Sequence, residues 1–440
     1  MKPGKSIGLA AAAAILATAI SATVRADTLA NFLAHGKFDA QLRAYYFRRD
    51  YATPSVPNAS SFALAGIFNY QTARFLDGFS VGASYFTANA LGTHETSTAR
   101  IDTTLIGAAN SINALGQAFI QYASHRAVVR IGDQLVATPW AGPSDGRVLP
   151  ATYQAAYGKF TPAAGVTLHL LRILRYKGRT ADNYFHDNNY YPPTWRGDAN
   201  YGGLGNLPAG APNTAGTLAF GADYQNGGLK STVWYYHFYD FAHMLYGQGD
   251  YALSLQSPIE PFAGAQAVRE WGESNVFVQT GTTLFGQPGT ATGNLTLGLT
   301  IGVKGYGASL SLAYNRMRSQ GAGVLGGGAL ISPYTTNFSS DPLYTSSMIR
   351  GLVELGPGSA WKLMATADAL GKKLQLMASL ARYRTAFNGN DTEIYFDVIY
   401  LPDGWFRGLS LRNRLEIGNG PVNPGRRYFL YNRVQLVYSF

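Results

Sequence analysis

The chain closes on an uninterrupted alternation, Tyr428 to Phe440, that stops on an aromatic ring. Side chains of a strand point to opposite faces with period two. Tyr428, Leu430, Asn432, Val434, Leu436, Tyr438 and Phe440 therefore share one face, and Phe429, Tyr431, Arg433, Gln435, Val437 and Ser439 share the other. The first face is mostly apolar and the second is mixed. A terminal strand of this kind suits hydrocarbon on one side and water on the other, which only a closed sheet can satisfy in a membrane.

The pattern recurs along the chain. Leu295, Leu297, Leu299, Ile301 and Val303 alternate with Thr296, Gly298, Thr300 and Gly302, and the combined three- and four-residue spacing of a helical stripe is absent. Similar segments run Phe38 to Phe47, Phe62 to Tyr70, Val81 to Phe86, Leu310 to Tyr314, Trp361 to Ala369 and Leu409 to Ile417. Short Gly-rich connections (Pro162 to Gly165, Asn226 to Gly228, Lys304 to Gly307, Gly371-Lys372) read as tight turns at one end. The long irregular stretches Thr180 to Gly216 and Arg318 to Gly358 read as loops at the other, with a short extra strand expected at Met348 to Leu355. The 51 Gly, 29 Tyr and 23 Phe with only 14% charged residues fit this picture. At about 23 residues per strand with its share of loops, the chain predicts an all-β, transmembrane antiparallel barrel of roughly 18 strands, with loops folded into the lumen.

Residues 1–26 read as a cleaved secretory leader: Lys2 and Lys5, an apolar run from Ile7 to Ile20, then Val24-Arg25-Ala26. The run is shorter than the roughly 20 residues of a spanning helix. Residues 27–440 then form one domain, the barrel, placed in the bacterial outer membrane. The formal charge of +10 is a modest basic excess, part of it in the leader, and suggests anionic partners. With no cysteine, disulfides, thiolate metal sites and thiol catalysis are excluded. The histidines show no metal-binding spacing, so no metal and no cofactor is expected. Gly321-Ala-Gly323-Val-Leu-Gly326 matches a dinucleotide fingerprint by spacing alone, without the strand and helix it requires. No nucleophile elbow appears, and the chain is read as a non-enzyme with no catalytic residue and no nucleic-acid partner.

The strand arginines carry more information. Leu409, Leu411, Leu415 and Ile417 set an outer face, which turns Ser410, Arg412, Arg414 and Glu416 inward; an Arg facing lipid at midplane would cost about 2–4 kcal/mol. The same parity turns Arg43 and Arg433 inward. Closure pairs the last strand with the first, so Arg43, Arg412, Arg414 and Arg433 form one basic wall from three adjacent strands. Either these arginines pair with luminal acids such as Asp39, Glu393, Asp397 and Glu416, or they hold carboxylates by bidentate hydrogen bonds. Arg130 lies on a strand that runs into the stiff loop Thr138 to Pro150, which can fold into the bore. Arg147 on that loop then faces the solute path, or is an ordinary surface arginine.

Through Leu42-Arg-Ala-Tyr-Tyr-Phe-Arg-Arg-Asp50, Arg147-Val-Leu-Pro150 and Leu409-Ser-Leu-Arg-Asn-Arg414, the chain resembles the OprD-like family of substrate-specific outer-membrane porins. The resemblance implies an 18-stranded monomeric barrel, pinched by inward loops, that admits small anionic or zwitterionic solutes such as amino acids or aromatic acids. It implies a basic ladder at Arg412, Arg414 and Arg433, a constriction arginine at Arg147 and a pore-eyelet acid at Asp341. Asp397 and Ser379 stand where ladder bases are expected, which shortens the ladder. Phe440, with Tyr438 and Leu436, resembles the signal read by the barrel assembly machinery. Outer-membrane lipids and lipopolysaccharide complete the expected partners. A non-selective porin, an outer-membrane hydrolase and a surface-binding barrel are the alternatives.

Overall fold

The computed structural model describes residues 31–143, 146–184, 215–239, 242–255, 257–272, 292–321, 328–330, 332, 334, 341–386, 389–421 and 423–440. The proposed leader, most of the loop expected over 180–216, and all but Gly321 of the glycine fingerprint lie outside these residues. The strands are β1 Lys37–Tyr51, β2 Ala59–Gln71, β3 Phe79–Asn89, β4 Ser111–Ala123, β5 Ala127–Gln134 and β6 Thr152–Ala163. They continue with β7 Val166–Lys177, β8 Thr217–Asn226, β9 Leu229–Phe238, β10 Ala242–Ala252, β11 Glu260–Gly272 and β12 Gly293–Gly305. The last are β13 Ala308–Ser319, β14 Gly358–Ala369, β15 Leu374–Thr385, β16 Gly389–Tyr400, β17 Leu409–Asn419 and β18 Tyr428–Ser439.

Each strand pairs antiparallel with its sequence neighbours, and β18 returns to β1 from Gln41↔Ser439 to Tyr51↔Phe429, closing an 18-stranded sheet. Closure satisfies every strand edge, which is what a sheet without water on its outer face requires. Sequence parity predicts the faces. On β12, Leu297, Leu299 and Ile301 are 51%, 62% and 59% exposed on the outside, whereas Thr296 and Thr300 are buried inside. On β18, Val434, Leu436 and Tyr438 look outward while Tyr431, Arg433 and Gln435 are buried inside. Short turns join β2 to β3, β4 to β5 and each later even strand to its successor. The β12–β13 turn places Tyr306 and Gly307 at φ 52 and 75, the left-handed pair that a two-residue hairpin needs. Longer connections lie at the opposite end.

Met348 to Leu355 is not a strand. It forms a bend followed by one helical turn, Leu352–Leu355, between Gly351 and Gly356. A closed barrel offers no free edge for an extra strand, and Leu352, Val353 and Leu355 are buried in the lumen instead.

Candidate functional site: the lumen constriction

Three inward loops shape the bore. The first, 135–151, crosses it. At one end Arg43 Nη1 on β1 donates to the carbonyls of Arg147 (3.4 Å) and Val148 (3.2 Å). Gln435 Nε2 on β18 donates to the Gly146 carbonyl at 3.3 Å. At the other end the Trp140 N–H donates to Tyr236 Oη on β9 at 3.3 Å, and the Trp140 ring meets Tyr246 on β10 edge-on at 6.0 Å. Strands β1 and β10 are nine places apart in a ring of 18, so this loop spans the lumen from wall to wall. Its two halves are held by different apolar clusters, Trp140 and Ala141 in one and Val148 and Leu149 in the other.

The second loop is a strap along the inner wall, residues 341–351. Tyr344 Oη donates to Asp250 on β10 (2.8 Å), and the Thr345 N–H donates to Asn315 on β13 (3.1 Å). The Ser346 carbonyl accepts from Lys362 on β14 (2.7 Å), and that of Thr345 accepts from Tyr383 on β15 (2.6 Å). Glu416 on β17 then accepts from Ser347 Oγ (2.6 Å), Met348 N (2.6 Å) and Ile349 N (3.2 Å). Arg350 Nε lies 3.8 Å from Glu393 on β16. Successive strap residues thus engage the wall from β10 to β17.

A third loop, between β3 and β4, is pinned by Asp102. Its carboxylate accepts from Thr104 N (3.1 Å) and Thr104 Oγ1 (2.7 Å) and lies 3.3 Å from Arg49 Nε on β1. Burial pushes the Asp102 carboxyl up, but Arg49, the Tyr431 and Thr104 hydroxyls and Arg147 together hold it below the ordinary carboxylate value.

Against the loops stands the basic wall. Arg414 on β17 is the direct cross-strand partner of Arg433 on β18, which in turn faces Phe47 on β1. Arg412 lies level with Gln435 and Tyr45, and Arg43 one further step down, level with Val437 and Ser410. The steps are two residues each, about 6.8 Å along a strand. Arg433 is fully buried, its guanidinium 4.3 Å from the Tyr431 ring centroid and 5.0 Å from that of Phe47. Arg414 Nε donates to Tyr395 Oη at 2.8 Å, and the crossing loop comes so near that a Cβ at Gly146 would sit 3.1 Å from Arg414 Nη1.

The residues expected from sequence fall into three groups. Arg43, Arg412, Arg414, Arg433 and Arg147 come together. Arg147 is buried, with its guanidinium 5.8 Å from the Phe47 ring, and is not a surface residue. Arg412 is not a bare rung: its Nε donates to Asp397 Oδ1 at 2.8 Å and its Nη2 to Oδ2, while Arg414 Nε lies 3.7 Å from the same carboxylate. Arg130 is luminal but apart from the wall, on β5 near the Ser124–Arg126 turn, bound to Gln121 Oε1 (3.1 and 2.7 Å) over the Phe119 ring. Asp341 begins the strap, taking hydrogen bonds from Leu343 N (2.9 Å) and Ser346 Oγ. Burial raises its carboxyl above the ordinary value, against the pull of those bonds and of Lys362. A recess of about 160 Å³ opens beneath the crossing loop, lined by Gln41, Arg43, Asn69, Gln117, Leu135 and Pro150. Sequence reasoning missed Arg49, although the parity of Arg43 predicts it. It also missed Tyr395, which accepts from Arg414, and Arg350, which faces Glu393 from the strap.

OccK9 (OpdG) of Pseudomonas aeruginosa matches with a TM-score of 0.72 at 19% identity, covering 93% of this chain and 99% of that one. OccAB3 of Acinetobacter baumannii matches at 0.72 and 16% identity over 92% and 99%. The fold is that of the OprD/Occ outer-membrane channels. OpdK of Pseudomonas aeruginosa, solved with vanillate, shares the Occ fold at a TM-score of 0.71 and 15% identity over 93% and 99%. No protein-family model and no curated protein matches the sequence. The resemblance drawn from motifs at the two ends of the chain therefore holds at the level of the Occ fold along nearly its whole length.

Proposed function

We propose that the chain is an outer-membrane diffusion channel of the OprD/Occ type, exported by a cleaved leader over residues 1–26 and acting as a monomer. It passes small water-soluble solutes bearing a carboxylate, such as amino or aromatic acids, down their gradient. The observation that carries this reading is the stepped arginine wall, Arg433 and Arg414, then Arg412, then Arg43, set against a loop that spans the bore and contributes Arg147. Arg412 and Arg414 keep 33% and 13% of their side chains accessible, while the buried Arg433 and the loop-bound Arg43 add positive charge behind them, so a carboxylate meets guanidinium sites shallow enough to leave. The vanillate held by OpdK, an aromatic acid, is consistent with that solute class. The mechanism needs no cofactor, no metal and no covalent step.

The pairing of Arg412 with Asp397 favours a second reading, a weakly selective porin, because one rung is already occupied by a fixed carboxylate. Planar-bilayer recording separates the two. A selective channel shows anion-biased reversal potentials in a salt gradient and a current that saturates with an aromatic carboxylate, and Arg414→Ala shifts the reversal potential toward zero. An unchanged reversal potential in Arg414→Ala, with conductance that follows bulk salt, leaves the non-selective porin.

A further inference from the structure

Four arginines on the outside of the barrel have no part in the bore. On β13, Leu310, Leu312 and Tyr314 look outward, and the same parity exposes Arg316 and Arg318. On β15, Arg382 and Arg384 are exposed beside the buried Ala381 and Tyr383. The register brings them into one patch. Arg316, Ser359 on β14 and Arg384 form a row, with Tyr314, Trp361 and Arg382 the row beneath and Leu312, Leu363 and Leu380 the row beneath that. Arg316 and Arg384 lie two strand spacings apart, about 10 Å.

Among the described residues, none of these four guanidiniums meets a carboxylate. The β15–β16 connection, 386–388, contains no Asp or Glu, and the β13–β14 connection, 320–357, contains two, Asp341, which is held within the strap, and Glu354. Elsewhere on the outer face, Arg48 is neutralised by Asp50 at 2.9 Å. The patch therefore stacks leucines, then aromatic rings, then concentrated positive charge, in that order toward the end of the barrel with the long connections. A phosphorylated amphiphile has the complementary profile: acyl chains, a polar neck, and phosphates that arginine forks bind bidentately.

We propose that the outer surface of β13–β15 is a binding site for the phosphorylated glycolipid headgroup of the outer leaflet, of the lipid A kind. The inference rests on the outer-membrane reading above, since an outer-membrane barrel turns its short connections to the periplasm and its long ones to the outer leaflet. The greasy row takes the acyl chains, Trp361 and Tyr314 sit at the headgroup boundary, and Arg316, Arg318, Arg382 and Arg384 hold the phosphates. Such a lipid would tie down the roots of the strap-bearing β13–β14 connection.

The test uses the full-length barrel in detergent, titrated with bisphosphorylated lipid A, with lipid A stripped of its phosphates, and with phosphatidylglycerol, with retention read by native mass spectrometry. Heat-modifiable electrophoretic mobility shows that each variant is folded. Wild type is expected to retain bisphosphorylated lipid A at least tenfold better than the fourfold variant R316Q/R318Q/R382Q/R384Q, and tenfold better than it retains the dephosphorylated form. R48Q is expected to match wild type. Equal retention by the fourfold variant, or equal binding of phosphatidylglycerol, overturns the site. Bilayer conductance of the same preparation is independent of that outcome: a folded barrel that binds lipid A without conducting rejects the channel reading and leaves the patch standing.

Discussion

At the scale of single residues, the bore is governed by which carboxylate meets which guanidinium. Asp397 is bound by Arg412 through two nitrogens and by Tyr395 Oη at 2.6 Å. Asp397→Asn therefore releases Arg412 into the path. The expected result is a reversal potential shifted further toward anions, at a cost of about 1–3 kcal/mol in stability from the lost charge-assisted bonds; urea unfolding in lipid vesicles reads the second effect. Asp102 supplies the pH dependence. Its carboxyl is depressed in the folded protein, so the stabilisation is complete above the ordinary carboxylate range and is lost as pH falls through the lowered value. Single-channel noise should stay flat from about pH 8 to 5 and rise below about 4 as the β3–β4 loop loosens. Asp102→Asn should be noisy throughout.

At the scale of elements, the strap 341–351 depends on its Glu416 end. Three donors converge on that one carboxylate, each a charge-assisted bond worth about 1.5–3 kcal/mol. Glu416→Ala should detach Ser347 to Ile349 from β17 while leaving the barrel intact. The expected readout is frequent brief closures in bilayer records, with strand content by circular dichroism unchanged; wild-type gating would mean that the contacts to β10–β16 suffice to hold the strap. The crossing loop is fixed differently. Its ends are seated in two opposite apolar clusters, so a single polar substitution should not free it.

At the scale of the whole molecule, closure with an apolar outside works together with the two apolar clusters that pack the inward loops. Leu299, mid-strand on β12 and 62% exposed, marks the band that lipid must cover. Leu299→Arg should cost about 2–4 kcal/mol, read by denaturant unfolding in lipid vesicles. A change below about 0.5 kcal/mol would place β12 outside the hydrocarbon.

Much of this was legible in the chain. Period-two alternation located β1, β2, β3, β12, β13, β14, β17 and β18, because one wet and one greasy face leave a strict binary record along a strand. The same parity turned Arg43, Arg412, Arg414 and Arg433 inward, and closure of the last strand on the first placed them together. The loops left no such record. That Arg147 is buried, that Asp397 occupies Arg412, and that Met348 to Leu355 coils inside rather than pairing all depend on contacts between residues distant in sequence. Strand parity is a local consequence of backbone geometry and could be read from the sequence alone. What fills the lumen was decided only when a closed wall, with no edge left to extend, forced its long connections to pack against whatever lay across the bore.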